Sequence, residues 1–169
     1  YGQQLKDDYR RLYGSMIHFA GRGAMVVRKE NRIEIDSDVV DEWGIPVPKF
    51  HFEWTDYEYR QAKHMQETFR AIIHELGGTP TTPMPTREDE YYLKTPGRII
   101  HEVGGARMGS DPRSSVLNEY CQAHDVDNLF VADGASMPTQ AEKNPTWTIL
   151  ALSMRTSEYI VDQRKKGNL

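Results

Sequence analysis

His101-Glu-Val-Gly104-Gly105-Ala-Arg107-Met108-Gly109-Ser-Asp111-Pro112, then Asn128-Leu-Phe-Val-Ala-Asp133-Gly134, then Asn144-Pro145-Thr146-Trp-Thr148 is the stretch on which the reading of this chain turns. Arg98-Ile99-Ile100-His101 reads as a short apolar strand that delivers a histidine to a glycine-rich turn. Histidine is the side chain best suited to take a proton near neutral pH. On position alone, a histidine hydrogen-bonded in a core fits equally well. Gly104 and Gly105 let the backbone turn or approach a ligand closely. Asn128 to Gly134 reads as a buried strand meeting an Asp-Gly turn, where a carboxylate either caps backbone or holds a hydroxyl. Asn144 suits a helix cap and Pro145 the first helical turn. The free N–H groups there favour an electron-rich ligand atom.

Around this stretch the chain divides at a proline-rich loop, Thr79 to Thr86, which holds Pro80, Pro83 and Pro85. Upstream, Leu5, Tyr9, Leu12 and Tyr13 share one face of a helix. Met16 to Ala20 and Ala24 to Val27 read as strands around a Gly21-Arg22-Gly23 turn. Asn31 to Asp36 alternates as a half-buried strand does, and Asp36 to Asp41 reads as a turn. Pro46 and Pro48 hold the backbone extended. Lys49 to Trp54 reads as a strand with Phe50, Phe52 and Trp54 on one face and His51 on the other. Tyr57 to Leu76 has helical spacing, capped by Thr55 or Asp56 and ended by Gly77-Gly78. Arg87 to Lys94, with Tyr91 and Tyr92, reads as a surface loop of the kind that can also flank a polyol pocket. Downstream, Arg107 suits a bidentate hold on Asp111 or Asp133, and His124 has a structural place in a turn. The last helix runs to about Lys165 and ends in favourable positive charge.

Composition excludes several classes. A net charge of −4 with mixed signs gives no basic footprint for nucleic acid. No apolar run is long enough to span a membrane. The single Cys121 excludes an internal disulfide and a cysteine zinc site, and no metal site is expected. Gly21-Arg22-Gly23 lacks the third glycine of a dinucleotide fingerprint, and no helix pattern follows it. No Gly-x-Ser-x-Gly places a nucleophile for a hydrolase using His101 with Asp111 or Asp133.

Taken jointly, His101-x-x-Gly104-x-x-Arg107-Met108-Gly109-x-Asp111-Pro112, Asn128-Leu-x-Val-x-Asp133-Gly134, Pro138-Thr139, Asn144-Pro145-Thr146-x-Thr148-Ile149 and Arg155 stand in one order. That series resembles the C-terminal part of the glucose–methanol–choline (GMC) family of flavin oxidoreductases. Glu30-Asn31-Arg32-Ile33 and Asp41-Glu-Trp43-Gly44-Ile45-Pro46 also look like its bacterial sugar-oxidising branch of gluconate, fructose and glucoside dehydrogenases.

The resemblance implies an α+β fold. Residues 1–97 would belong to an antiparallel substrate-domain sheet with helices. Residues 98–169 would hold the catalytic segment, with strands and a long C-terminal helix completing a Rossmann-like FAD-binding domain. It implies His101 as catalytic base and Asn144 as its partner on the substrate oxygen, with hydride passing to flavin N5. It assigns Asp133, Gly134, Asn144, Pro145 and Thr146 to FAD contacts. Family members often have Thr or Cys where Gly105 stands, so packing there is expected to differ. The expected substrate is a sugar or polyol, and an electron-transfer subunit is compatible with that chemistry. The family's phosphate-binding βαβ unit is N-terminal and has no counterpart here. The chain is therefore expected to be a processed or excised piece, or one chain of a split enzyme, that does not retain FAD alone. The alternative is a non-catalytic docking subunit that kept this fold. Bacterial cytoplasm and periplasm both remain open.

Overall fold

A computed structural model describes residues 1–169. Helix α1 (Gln3–Leu12) precedes strands β1 (Arg32–Val40) and β2 (Pro46–His51), helix α2 (Asp56–Glu75) and, after a long irregular stretch, helix α3 (Thr146–Lys166). The two strands form one antiparallel sheet, so the fold is α+β. No helix is long and apolar enough to cross a membrane.

The β1–β2 hairpin shows how local chemistry sets register. Ile33 faces Phe50 and Ile35 faces Pro48, then the register shifts before Val40 meets Pro46. Pro46 and Pro48 have no N–H to give the ladder. The Asp36 carboxylate instead accepts from the N–H groups of Asp38 at 2.9 Å and Val39 at 3.2 Å. The expected turn at Asp36 to Asp41 is thus an irregularity inside β1. The turn proper follows at Asp41 to Ile45, where Asp41 Oδ1 accepts from Trp43 and Ile45 and Gly44 has φ 78°. Lys49 to Trp54 is also corrected: the strand ends at His51, and Phe50 stays exposed while Phe52 packs edge-to-face on Trp54 at 4.8 Å. His51 faces away from them, its Nε2 at 2.7 Å from Glu34 across the pair.

Helix α2 forms where its spacing predicts. Thr55 accepts from the Tyr57 N–H at 3.2 Å, and Glu58 reaches back to the Thr55 N–H at 2.8 Å. Such a reciprocal cap satisfies two orphan donors at once. Gly77, at φ 73°, and the Gly78 N–H to Ile73 carbonyl bond of 2.8 Å close the other end. Along this helix lies the segment expected to contain two strands, Met16 to Ala20 and Ala24 to Val27. Neither forms, apart from one bridge between Met25 and Gln140. The Gln61 amide does the work of a neighbouring strand: Nε2 donates to the Ala24 carbonyl at 2.8 Å and Oε1 accepts from the Ala24 N–H at 3.2 Å. Phe19 stacks on Phe69 at 5.4 Å, and at Gly21 a Cβ would run into the Met65 sulfur.

The second half is held by bridges rather than a sheet. Met108, Leu117, Ala123, Gln122 and Phe130 pair in isolated steps around a core of Leu117, Cys121 and Ala123. Helix α3 docks on this core through polar atoms. Thr156 Oγ1 donates to the Tyr120 carbonyl at 3.1 Å, Ser153 Oγ to the Ala132 carbonyl at 2.8 Å, and Arg155 to the Glu119 carbonyl. The Tyr159 ring stacks on Tyr120 at 4.0 Å. The expected strands Arg98–His101 and Asn128–Asp133 are not formed. A strand needs a continuous paired neighbour: Ile99 and Ile100 lie exposed with none within residues 1–169, and Asn128–Asp133 has only the single Phe130–Gln122 bridge.

The Asp36 carboxyl lies below the usual aspartate range, chiefly because the Asp38 N–H bonds its charged form, with Val39 and Lys49 adding to this. A depressed folded pKa stabilises the fold above the unfolded value of about 3.9, and that stability is lost as pH falls through the folded value. NMR titration is expected to give Asp36 a midpoint below about 3.9. Asp36→Asn should abolish the acid-dependent rise in Val39 amide exchange.

Candidate active site

The candidate site is built on one close approach of backbones. At Gly134 a Cβ would lie 3.1 Å from the Glu102 carbonyl oxygen, 3.4 Å from Val103 and 3.5 Å from Ile149. Glu102 follows His101 directly, and Ile149 lies in the first turns of α3, just after Asn144. The residue with no side chain is thus where the histidine segment, the Asp-Gly turn and the start of the last helix meet. Hydrogen bonds run along the same seam. The N–H groups of Gly104, Ala106 and Met108 donate to the carbonyls of Gly134, Ala135 and Ser136 at 3.3, 3.0 and 2.9 Å. The first half reaches it too: Ile33 of β1 lies 3.9 Å from the Cβ position of Gly105, and Val27, ahead of the sheet, 3.3 Å from that of Gly104.

Within this frame His101 is half-buried, at φ 83°. A histidine tolerates the left-handed region better than most side chains, but the conformation is uncommon and held by its surroundings. Asp133 accepts from the Ala135 N–H at 2.7 Å and caps the short turn Gly134–Ser136. Of the two roles open to this carboxylate, backbone capping is the one seen. The expected Asn144 cap is corrected. Pro145 occupies the position before Thr146, with φ −81° and ψ −12°, and no side chain caps the helix. Pro145 is buried, whereas Asn144 and Thr146 are exposed. The first intrahelical bond is Ile149 N–H to the Pro145 carbonyl, 2.9 Å, so the N–H groups of Thr146, Trp147 and Thr148 have no acceptor in the chain. With the Asn144 amide beside them, they form an uncommitted donor set.

This donor set fits the carbonyl edge of a flavin ring. The buried Gly134 fits less simply, because its hydrogen faces Glu102, Val103 and Ile149 of the chain itself, with the Glu102 carbonyl oxygen only 3.1 Å from the Cβ position. A Cβ there would have to displace that carbonyl by a few tenths of an ångström.

Two expectations about charge are corrected. Arg107 does not hold Asp111 or Asp133: its Nε donates to the Ser114 carbonyl at 2.9 Å. Asp111 is instead paired with Arg113 at 2.9 Å, and that guanidinium, with the Arg113 N–H, keeps the carboxyl below its usual range. Arg113 is the nearer partner because it can fold back onto Asp111 within one turn. His124 is structural, as expected. Its Nε2 faces the Gly109 carbonyl at 3.2 Å and Ser115 Oγ at 3.0 Å. A carbonyl only accepts, so Nε2 carries a proton there. Ser115 Oγ in turn donates to the Asp111 carbonyl at 2.8 Å, so the pair is not a nucleophile with its base. Glu102 was not singled out by sequence, and Ile149 only as a motif position, because nothing in either residue type signals a contact at Gly134.

Comparison with known proteins follows the same stretch. The model of the GMC oxidoreductase C-terminal family, described as GMC oxidoreductase, matches residues 27–153. The chain is similar to the fructose dehydrogenase large subunit of Gluconobacter japonicus, at 31% identity over 98% of this chain and 29% of that protein. It is similar to the gluconate 2-dehydrogenase flavoprotein of Pantoea cypripedii, at 28% over 99% of this chain and 27% of that protein. It also resembles the C-glycoside 3-oxidase of Arthrobacter globiformis, at 29% over 94% and 30%. The chain spans less than a third of the length of these curated relatives.

Gly134→Ala should lower stability by about 1–3 kcal/mol, the usual cost of forcing an extra carbon into packed space. Gly105→Ala, whose nearest atoms are 3.9 Å away, should be tolerated. Denaturant midpoints of the two variants check the contrast; equal midpoints would remove Gly134 from the centre of this site.

Proposed function

The chain belongs to the GMC oxidoreductase family through its C-terminal domain, and from that premise we propose that it forms part of an FAD-dependent enzyme oxidising a CH–OH group of a sugar or related polyol. The observation that carries this reading is the convergence at Gly134 of the segment after His101 and the segment after Asn144. Two polar side chains far apart in sequence are attached to one rigid seam. The names of the relatives, which act on fructose, gluconate and glycosides, support the substrate class.

In this proposal His101 takes the hydroxyl proton of the alcohol. Asn144 hydrogen-bonds the same oxygen and orients it, a role it keeps across pH because an amide does not titrate. Asp133, Gly134, Pro145 and Thr146 form the wall on the cofactor side, and the free N–H groups of the first α3 turn face electron-rich atoms there. FAD, when bound, supplies the acceptor for the hydride, at its N5. Residues 1–97 serve the substrate side. Residues 98–169 complete a Rossmann-like FAD domain, supplied for the most part by an N-terminal FAD-binding portion of the same enzyme. The share of each relative covered, under a third, supports that division of labour.

General-base assistance is worth about a hundred- to ten-thousand-fold. In the full-length, FAD-loaded protein, His101→Asn should slow anaerobic flavin reduction by a sugar by about that factor. Asn is chosen because it accepts the positive φ at this position and replaces the imidazole with a polar group that does not titrate. FAD content should be unchanged. Reduction at the wild-type rate would exclude His101 as the base.

A further inference from the structure

Asn144 is exposed and caps no helix, so its place is set by the backbone on either side of it. Downstream, the buried Pro145 leads straight into α3. Upstream there is a single tie. From Pro138 to Asn144 the backbone makes one hydrogen bond to the rest of the chain, in which the Gln140 carbonyl accepts from the Met25 N–H at 2.8 Å. Gln140 Nε2 then donates to the Lys143 carbonyl at 3.4 Å, which spans the residues between that tie and Asn144. Met25 in turn belongs to the segment that the Gln61 amide holds against α2. We propose that Gln61 is a positioning residue for Asn144, acting through the Ala24–Met25 backbone on Gln140, a role that rests on Asn144 orienting the substrate oxygen.

Gln61 is suited to this because its amide grips both backbone groups of one residue. Nε2 donates to the Ala24 carbonyl at 2.8 Å, and Oε1 accepts from the Ala24 N–H at 3.2 Å. Ala24 cannot turn about its own backbone without breaking one of the two bonds. The next residue, Met25, bonds away from α2, to Gln140. The segment thus lies as a central strand does, with a neighbour on each edge, except that one neighbour is a side chain. An amide carries the donor and the acceptor this needs, whereas a carboxylate lacks the donor and a thioether is at best a weak acceptor. The fit is close. At Gly23 a Cβ would lie 3.0 Å from Gln61 Oε1 and 3.2 Å from Met65 Cε, so the backbone rests directly on the amide. The same path joins helix α2, in the half assigned to the substrate side, to the loop that carries Asn144.

In the full-length, FAD-loaded protein, Gln61→Met keeps the length of the side chain and removes both bonds to Ala24. Hydrogen exchange read by mass spectrometry should then quicken at Met25 and across residues 140–144. Anaerobic flavin reduction is followed with fructose, gluconate or methyl α-glucoside, whichever reduces the wild type fastest. It should slow about ten- to a hundredfold, the effect of a small misplacement of a reacting partner, with FAD content unchanged. In Asn144→Ala, itself slow, adding Gln61→Met should cost less than about twofold more, because residues that act through one group are not additive. Gly23→Ala crowds the same amide from the other side and should give the same readings, should Gln61→Met not fold. Unchanged exchange across 140–144 would overturn the hold of Gln61 on Asn144. Full slowing by Gln61→Met in the Asn144→Ala background would overturn it too, since general loosening would then be the cause. Asn144→Ala reducing flavin at the wild-type rate would sink the catalytic role of Asn144 and the positioning role with it, and quickened exchange across 140–144 would mark that failure as the reading of Asn144 rather than the path from Gln61.

Discussion

The second half of this molecule depends on one steric constraint. The Glu102 carbonyl oxygen lies 3.1 Å, and the Ile149 side chain 3.5 Å, from the point where residue 134 would carry a Cβ. Because that position is glycine, the segment after His101 lies directly on the Asp133 turn, and three N–H to carbonyl bonds follow from Gly104 to Met108. Without the approach there is no seam, and His101 and Asn144 become residues of unrelated loops. The constraint is local, but it determines what two distant stretches can do together.

The rest of the fold supports that seam from behind. The core of Leu117, Cys121 and Ala123 is small, so α3 is not held by apolar burial alone. Thr156, Ser153 and Arg155 instead satisfy loop carbonyls that have no strand to pair with. A hydroxyl or guanidinium on such a carbonyl gives irregular backbone the partner that a strand would otherwise supply. The same solution recurs at Gln61, whose amide pairs with Ala24 as a strand would. Polar side chains thus stand in for sheet neighbours in both halves. The helix that bears the Tyr120–Tyr159 stack is fixed while its first turn is left uncapped.

The surface retains much apolar material. Trp147, Leu150 and Met154 on α3, and Ile33, Ile35 and Phe50 on the hairpin, are all well exposed. Contiguous exposed apolar surface marks interaction sites in folded proteins. Both sets adjoin the seam: Ile33 approaches Gly105, and Trp147 sits in the uncapped turn. The candidate site thus has both free donors and exposed apolar side chains at its margins. This geometry accords with a family whose members extend well beyond the matched region.

The sequence alone determined the elements whose cause is local. Spacing and the Thr55–Glu58 cap placed α2, and the Gly77-Gly78 pair ended it, because capping and helical periodicity need only neighbours within a few residues. Order of motifs from His101 to Arg155 was enough to identify the family, which the comparison then established. Expected strands at Met16, Ala24, Arg98 and Asn128 did not form, since β-branched and apolar runs state a preference whereas a ladder requires a partner. The Asn144 cap and the Arg107 pair failed for a related reason: residue types list possible partners but do not rank them by distance. Only the tertiary structure decided that Glu102 and Ile149 meet at Gly134. That contact joins three segments far apart in the chain, and no periodicity or cap within any one of them encodes its distance from the other two.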